Sequence, residues 1–484
     1  MDERQLLEQQ PTGLLIDGRW RDATDGATFA VGDPATDQVL AEVADASPED
    51  GDAALAAAHA AQGDWERTPP RQRAQLLRDL FDAVIEHTEE LALLITLEMG
   101  KSLAEARGEV AYGGEFLRWY AEEAVRAYGS HLPAPGGNGR ILTVKRPVGP
   151  SLLITPWNFP LAMATRKIGP ALAAGCTAVI KPAAAAPLTT LRLAEIARDC
   201  GVPDGVLNVI PTSRAGDVMS PLIADARARK LSFTGSTAVG RSLLAQAADQ
   251  VLRVSMELGG NAPFLVLEDA DLDAAVDGAM AAKMRNIGES CVAANRFIVH
   301  RRLAEPFTAA LAERMGGLRL GRGTEEGVDV GPLIDADAVD KVHGLVTGAV
   351  DAGAELRVGG QPTDGPGSFY PPTVLGDVPP DAEVLHEEVF GPVAPVTVVD
   401  DDTEAVAAAN ATPYGLVAFA YTQDVDRAMW LGDVLDSGMV GINRGVVSEP
   451  AAPFGGSKHS GLGKEGGAEG LEEYLTTRYV AFPS

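Results

Sequence analysis

Cys291 stands at the end of Asn286-Ile287-Gly288-Glu289-Ser290-Cys291, a polar turn with Gly288 and Ser290 near the thiol. A cysteine so placed could be exposed, and as a thiolate it would be a nucleophile. The other two cysteines read differently. Cys176 continues the small-residue stretch Ala173-Ala174-Gly175, as an inert core cysteine does, and Cys200 closes a helix before Gly201. Glu257 ends a short apolar run, where a buried carboxylate costs desolvation energy unless it is used or paired. Burial would raise its pKa toward the range of a general base, although bonds to nearby backbone N–H groups would give it a purely structural use. Asn158 lies in Thr155-Pro156-Trp157-Asn158-Phe159-Pro160, a loop stiffened by two prolines and a tryptophan. Its amide could donate to an oxyanion or close an Asx turn. Lys181-Pro182 sets a cation where a phosphate or ribose could sit. Gly235 and Ser236, in Thr234-Gly235-Ser236-Thr237-Ala238-Val239-Gly240, open a helix whose free N–H groups favour phosphate. No Lys-Ser/Thr pair follows, so this is not a full Walker loop.

These residues are positioned by a regular scaffold. Short apolar runs at Leu152–Ile154, Ala178–Ile180, Val206–Ile210, Leu231–Phe233 and Val254–Met256 recur roughly every 25 residues, with Ala/Leu-rich stretches between them. That is the rhythm of βαβ units in a parallel sheet with helices on both faces, whose ligands bind beyond the carboxyl ends of the strands. The candidate residues follow the runs. A second α/β series begins at Pro263-Phe264-Leu265-Val266 and continues to about residue 440. Before the first series, Leu14-Leu15-Ile16 and Asp17-Gly18 predict a hairpin. Leu76, Leu77, Leu80, Phe81, Val84 and Ile85 form an amphipathic stripe behind Pro69-Pro70. Thr88 is the expected N-cap of the next helix, Gly100 its stop, and residues 102–128 a long third helix.

Composition narrows the function. At 484 residues the chain is long enough to bury large cores without disulfides or metals. Forty Lys+Arg against 68 Asp+Glu give 40 − 68 = −28, a surface that repels nucleic acid and anionic lipid. Three cysteines without CxxC or Cys/His spacing predict neither a disulfide framework nor a metal site. The polar start Met1-Asp2-Glu3-Arg4 has no apolar signal core behind it, and no apolar stretch is long enough to span a bilayer. A cytoplasmic protein is expected.

Taken in order, the motifs resemble the aldehyde dehydrogenase superfamily over nearly the whole chain. The match runs through the Asn158 loop, Lys181-Pro182, the Gly235–Gly240 turn, Glu257-Leu258-Gly259-Gly260 and the Cys291 segment. It continues through Glu387-Glu388-Val389-Phe390-Gly391-Pro392 and Pro453-Phe454-Gly455-Gly456-Ser457-Lys458. The resemblance implies an α/β fold with a Rossmann-like cofactor domain (1–128 and 148–257), an α/β catalytic domain (258–445), and a β oligomerisation arm with the C-terminal segment (129–147 and 446–484). A homodimer or homotetramer is implied with it. So is the chemistry. Cys291 adds to an aldehyde, Asn158 and the Cys291 N–H hold the oxyanion, hydride passes to a nicotinamide cofactor, and Glu257 activates the water that releases the acid. Lys181 would hold the adenosine ribose or its phosphate, Gly235 and Ser236 the pyrophosphate, Glu388 the nicotinamide ribose and Phe390 the ring. Thr155, Pro156, Trp157, Asn158, Ala183, Ala184 and Leu258 complete that site, and Lys167 and Glu465 match positions associated with proton relay.

Within the superfamily, the chain is most similar to succinate-semialdehyde dehydrogenases of the NADP-preferring type. Arg166, Arg285 and Ser448 match the two arginines and serine that bind the distal carboxylate there, a task suited to the planar fork of Arg. Glutarate semialdehyde or broad aliphatic aldehydes are the alternative substrates. Ala184 stands where NAD-preferring relatives carry Glu, so NADP is the expected cofactor, with NAD possible. Glu289 replaces a more usual Gln, and its side chain is expected to point away from Cys291.

Overall fold

The computed structural model describes residues 2–483, so Met1 and Ser484 lie outside the described residues. The five apolar runs are the strands Ser151–Ile154, Ala178–Lys181, Leu207–Val209, Lys230–Thr234 and Arg253–Glu257. They form the parallel centre of an eight-stranded sheet, in the spatial order third, second, first, fourth, fifth. This order reverses between Ser151–Ile154 and Lys230–Thr234, which opens a crevice at their carboxyl ends. Thr155–Asn158 and Gly235-Ser236 leave the sheet at that crevice. Antiparallel strands Leu14–Ile16, Arg19–Arg21 and Gly461–Leu462 complete its edges. The expected hairpin has its tight turn at Asp17 and Gly18, both at positive φ.

A seven-stranded sheet carries the second series, with Ala262–Val266 and Ala294–His300 adjacent at its centre and Met439–Ile442 at one edge. Phe264, Phe297, Phe307, Phe419 and Tyr421 pack together on one side of it. A separate three-stranded antiparallel sheet joins Leu475–Phe482, Arg140–Pro147 and His131–Pro133. Leu475–Phe482 is its edge strand and is largely exposed along its length.

Some local expectations need correcting. Helix Thr88–Met99 has His87 at the N-cap position. Thr88 is its first residue, and its hydroxyl donates back to the Ile85 carbonyl. Gly100 ends the helix at φ 99°, as a left-handed cap residue should. The third helix is Leu103–Glu123, shorter than 102–128, and its terminus leaves Tyr128 exposed in the following loop. A helix absent from the reading, Pro48–Arg67, carries a full start signal: Pro48 at its first position and a reciprocal Ser47–Asp50 capping box. Among the described residues, no helix is long and apolar enough to cross a membrane.

Candidate active site

A cavity of about 360 Å³ lies between the two large sheets, within the size range of small-molecule sites. It brings together Pro156, Trp157, Asn158, Arg166, Gly235, Ser236, Glu257, Leu258, Arg285, Cys291, Glu388, Phe390 and Ser448. These residues come from the first, fourth and fifth strand ends, the helix Pro160–Ala174, the Cys291 turn, the loop before strand Val393–Val399 and the loop after Met439–Ile442. Thr155, Lys181, Ala183 and Ala184 do not line the cavity. Thr155 joins the second strand instead, its N–H donating to the Lys181 carbonyl at 3.2 Å.

The Cys291 thiol is half-buried rather than exposed. Burial pushes it up to about 12; the neighbouring Glu257 carboxylate adds to the rise, and Arg166 opposes it. Glu257 is also raised well above the ordinary carboxylate range, first by burial and then by Glu465. Neither of its carboxylate oxygens has a hydrogen-bond partner among the described residues. The backbone N–H bonds that would have made Glu257 structural are therefore missing, and the residue lines the cavity. With the thiol this high, iodoacetamide alkylation of Cys291 in the cofactor-free protein should accelerate about tenfold per pH unit from pH 7 to pH 10. A plateau near pH 8 would show a thiolate already formed.

The turn that delivers Cys291 is held in a costly conformation. Asn286 and Ile287 lie at φ 59° and 62°, and Gly288 at 79°. A β-branched residue in that region is strained and persists only where its surroundings over-determine it. Those surroundings are a buried network absent from the sequence reading. Lys101 Nζ donates to Glu109 at 2.5 Å and to the Asn158 carbonyl at 2.9 Å. The Asn286 side-chain amide donates to the carbonyls of Asn158 (3.1 Å) and Glu289 (2.8 Å), and the Asn286 N–H donates to Glu105 at 2.6 Å. The Asn158 amide donates to the Glu289 carbonyl at 2.9 Å, leaving its second N–H for an oxyanion. The Glu289 side chain is fully buried and accepts from the Ile334 N–H at 3.0 Å. Its charge is not among the principal causes of the thiol's shift.

Close packing requires glycine at 260 and favours it at 259. A Cβ on Gly259 would sit 2.8 Å from the Glu388 carboxylate, and one on Gly260 2.7 Å from the Cys291 carbonyl. The Gly260 N–H donates to Glu388 at 3.1 Å, and burial raises that carboxyl to about 7. Phe390, held at φ 55°, meets Trp157 edge to face at 5.5 Å.

The two arginines are not equivalent. Arg166 is buried, stacks on Phe454 at 4.1 Å, lies 3.7 Å from Glu465 and bonds the Tyr112 hydroxyl. Arg285 forms no ion pair among the described residues; it lies over Tyr112 and Phe159 at 5.3 and 5.4 Å. Tyr112, Phe159, Met163 and Phe454 also line the cavity and were not singled out by the sequence reading. Phe159 and Phe454 stand inside motifs it quoted, whereas Tyr112 has no local signal.

The residues fit a nicotinamide dinucleotide. Lys181 is buried, makes no ion pair among the described residues and is pulled by burial down to about 8. Ser236 caps the 13-residue helix Thr237–Asp249 at the crevice, and the hydroxyls of Thr155 and Thr234 are buried without partners among the described residues.

A sequence profile described as "Aldehyde dehydrogenase family" matches residues 20–480. A succinate-semialdehyde dehydrogenase of Paenarthrobacter nicotinovorans is 58% identical over 442 residues, covering 91% of this chain and 98% of the relative. A glutarate-semialdehyde dehydrogenase of Pseudomonas aeruginosa is 46% identical over 480 residues, covering 99% of both. A solved structure titled as an NADP dependent enzyme of E. coli superposes with TM-score 0.97 at 46% identity, covering 98% of each chain.

Proposed function

The chain belongs to the aldehyde dehydrogenase family, and on that premise we propose that it oxidises succinate semialdehyde to succinate with NADP in preference to NAD. The observation that carries the substrate is Arg285, a guanidinium without an ion pair among the described residues, in the cavity that holds Cys291, with Arg166 and Ser448 lining it too. The Cys291 sulfur, as thiolate, adds to the aldehyde carbon, while the free N–H of Asn158 and the Cys291 N–H receive the oxyanion. An oxidised nicotinamide would, when bound, accept the hydride from that carbon, and its positive ring would favour the thiolate. The resulting thioester on Cys291 is hydrolysed by water that Glu257 deprotonates. Lys181 would hold the adenosine ribose or its phosphate, Gly235 and Ser236 the pyrophosphate, and Glu388 the nicotinamide ribose, with Phe390 packed at the ring. The eight-stranded sheet with residues 1–128 and 148–257 is read as the cofactor domain, and 258–445 as the catalytic domain.

The test is kcat/KM for succinate semialdehyde, glutarate semialdehyde and butyraldehyde with each cofactor. Succinate semialdehyde with NADP is expected to lead. The glutarate-semialdehyde relative favours a second reading, which a lead for that aldehyde would establish. Equal use of butyraldehyde would remove the carboxylate pocket from the account.

The cofactor preference has its own test. Half-buried Ala184 places no carboxylate beside Lys181, so a 2′-phosphate meets no like charge there. Ala184→Glu should shift preference toward NAD by about tenfold or more, mainly through weaker NADP affinity. An unaltered NADP/NAD ratio would refute the role.

The exposed edge strand Leu475–Phe482 is a liability unless a second copy covers it. We therefore expect a homodimer or homotetramer through this arm, and sedimentation as a monomer at micromolar concentration would contradict it. Three unpaired cysteines suit a reducing compartment, the cytoplasm.

A further inference from the structure

Glu289 stands two residues before Cys291, and its backbone and side chain bond to different parts of the site. Its carbonyl accepts from the Asn158 amide at 2.9 Å and from the Asn286 amide at 2.8 Å. Its own N–H donates to the Asn286 carbonyl at 2.8 Å. Where this peptide sits therefore sets the direction of the Asn158 amide.

The side chain ends on another segment. It is fully buried, and one carboxyl oxygen accepts from the Ile334 N–H at 3.0 Å. The second oxygen has no partner among the described residues. Ile334 and Asp335 line the cavity, and Asp335 caps the helix Ala336–Asp351. From that helix Lys341, another cavity residue, donates to the Glu388 carbonyl at 2.7 Å. The residues before Ile334 pack on the strained turn itself. Val330 and Leu333 share a cluster with Ile287, and a Cβ on Gly331 would lie 3.4 Å from Ile287. Apolar packing is non-directional, so the carboxyl–Ile334 bond is what fixes the register of turn against segment.

We propose that Glu289 is a positioning residue for thiolate addition: its carboxyl ties the Cys291 turn to the Ile334–Asp335 wall and so aims the free N–H of Asn158 at the oxyanion. The proposal rests on Cys291 as nucleophile and Asn158 as oxyanion donor. The tie works as an uncharged acid. Lys101 and Asp335 are the charged groups that act on it, and Lys101 is paired with Glu109. Glu105, on the helix Leu103–Glu123, is engaged by the Asn286 N–H, and Arg285 on the turn itself is not among the groups acting on Glu289. Burial holds the carboxyl well above the ordinary range, so it keeps its proton at neutral pH. An ionised carboxylate there would oppose the oxyanion that the neighbouring amide receives.

The test is the rate of the first equivalent of NADP reduced by succinate semialdehyde at pH 7. Glu289→Met fills the same space without the acceptor. It should slow that rate about tenfold or more and leave the half-saturating aldehyde concentration within about twofold, because Arg285 and Ser448 are untouched. Glu289→Gln, which keeps shape and acceptor, should return the rate to within about threefold of wild type. Its thermal midpoint should also rise relative to wild type as pH increases from 5 to 9. A buried acid with a raised pKa loses stability above the ordinary carboxylate range, and Gln does not titrate. A wild-type rate in Glu289→Met, or equal slowing by Met and Gln, overturns the tie. A midpoint difference that stays flat with pH overturns its uncharged state. If Glu289→Met does not fold, Glu289→Ala removes the same bond and is read the same way. Cys291→Ala separates this from the underlying reading. If it still yields the first equivalent, the nucleophile lies elsewhere and the tie falls with it. If it is silent while Glu289→Met behaves as wild type, only the tie falls.

Discussion

Glu257→Gln is expected to yield a protein that reduces about one equivalent of cofactor per site and then nearly stops, with steady-state turnover down by about 10²–10⁴-fold. Gln keeps the shape of the side chain but cannot accept a proton from water, so the thioester on Cys291 should persist. Mass spectrometry of the quenched protein should find the succinyl adduct on Cys291, and Cys291→Ala should give neither adduct nor first equivalent. The pH dependence carries the sign. A base works only when ionised, and burial with Glu465 raises the Glu257 pKa. Deacylation should therefore increase with pH through a limb above the ordinary carboxylate range, and Glu257→Gln should lack that limb. A wild-type steady state in Glu257→Gln would assign the base to another group, with Glu465, whose charge acts on Glu257, a first alternative.

What the sequence revealed depended on how far apart the cooperating residues lie. Strand-end residues were legible because the βαβ period announces each carboxyl end: Asn158, Gly235 and Glu257 all follow apolar runs, and the switch in strand order gathers them. Helix Pro48–Arg67 announced its start at Ser47, Pro48 and Asp50, but its mostly small residues hid the apolar stripe and it was missed. The buried network behind Cys291 was not legible. Asn286 reaches Asn158 across 128 residues and Glu105 across 181, and no local pattern encodes such pairs. Lys101 and Glu109 look like surface charges on a helical region until the fold closes over them. The thiol's burial was misjudged for a related reason. A Gly/Ser-rich turn reads as solvent-facing, but here Gly260 lets a neighbouring segment approach the Cys291 backbone.

The same long-range packing separates two arginines that the sequence presents alike, and it predicts which substitution damages specificity more. Arg166 already answers Glu465 and Tyr112 and stacks on Phe454, so its charge is partly spent within the protein. Arg166→Ala would also strip a counter-charge from Glu257 and Cys291, confounding substrate recognition with catalysis. Arg285 has aromatic faces and no carboxylate, which leaves its donors for a ligand. Arg285→Ala should therefore cost about 2–4 kcal/mol of transition-state binding for succinate semialdehyde, or about 30- to 1000-fold in kcat/KM, because the substrate carboxylate would enter a desolvated site short of a partner. Butyraldehyde, which has no carboxylate, should lose little. The alkylation rate of Cys291 should stay near wild type, since Arg285 is not among the principal groups that set the thiol's pKa. Equal losses for both aldehydes would mean that Arg285 shapes the Cys291 turn through its neighbour Asn286, and the carboxylate pocket would then have to be sought at Ser448 and Arg166 alone.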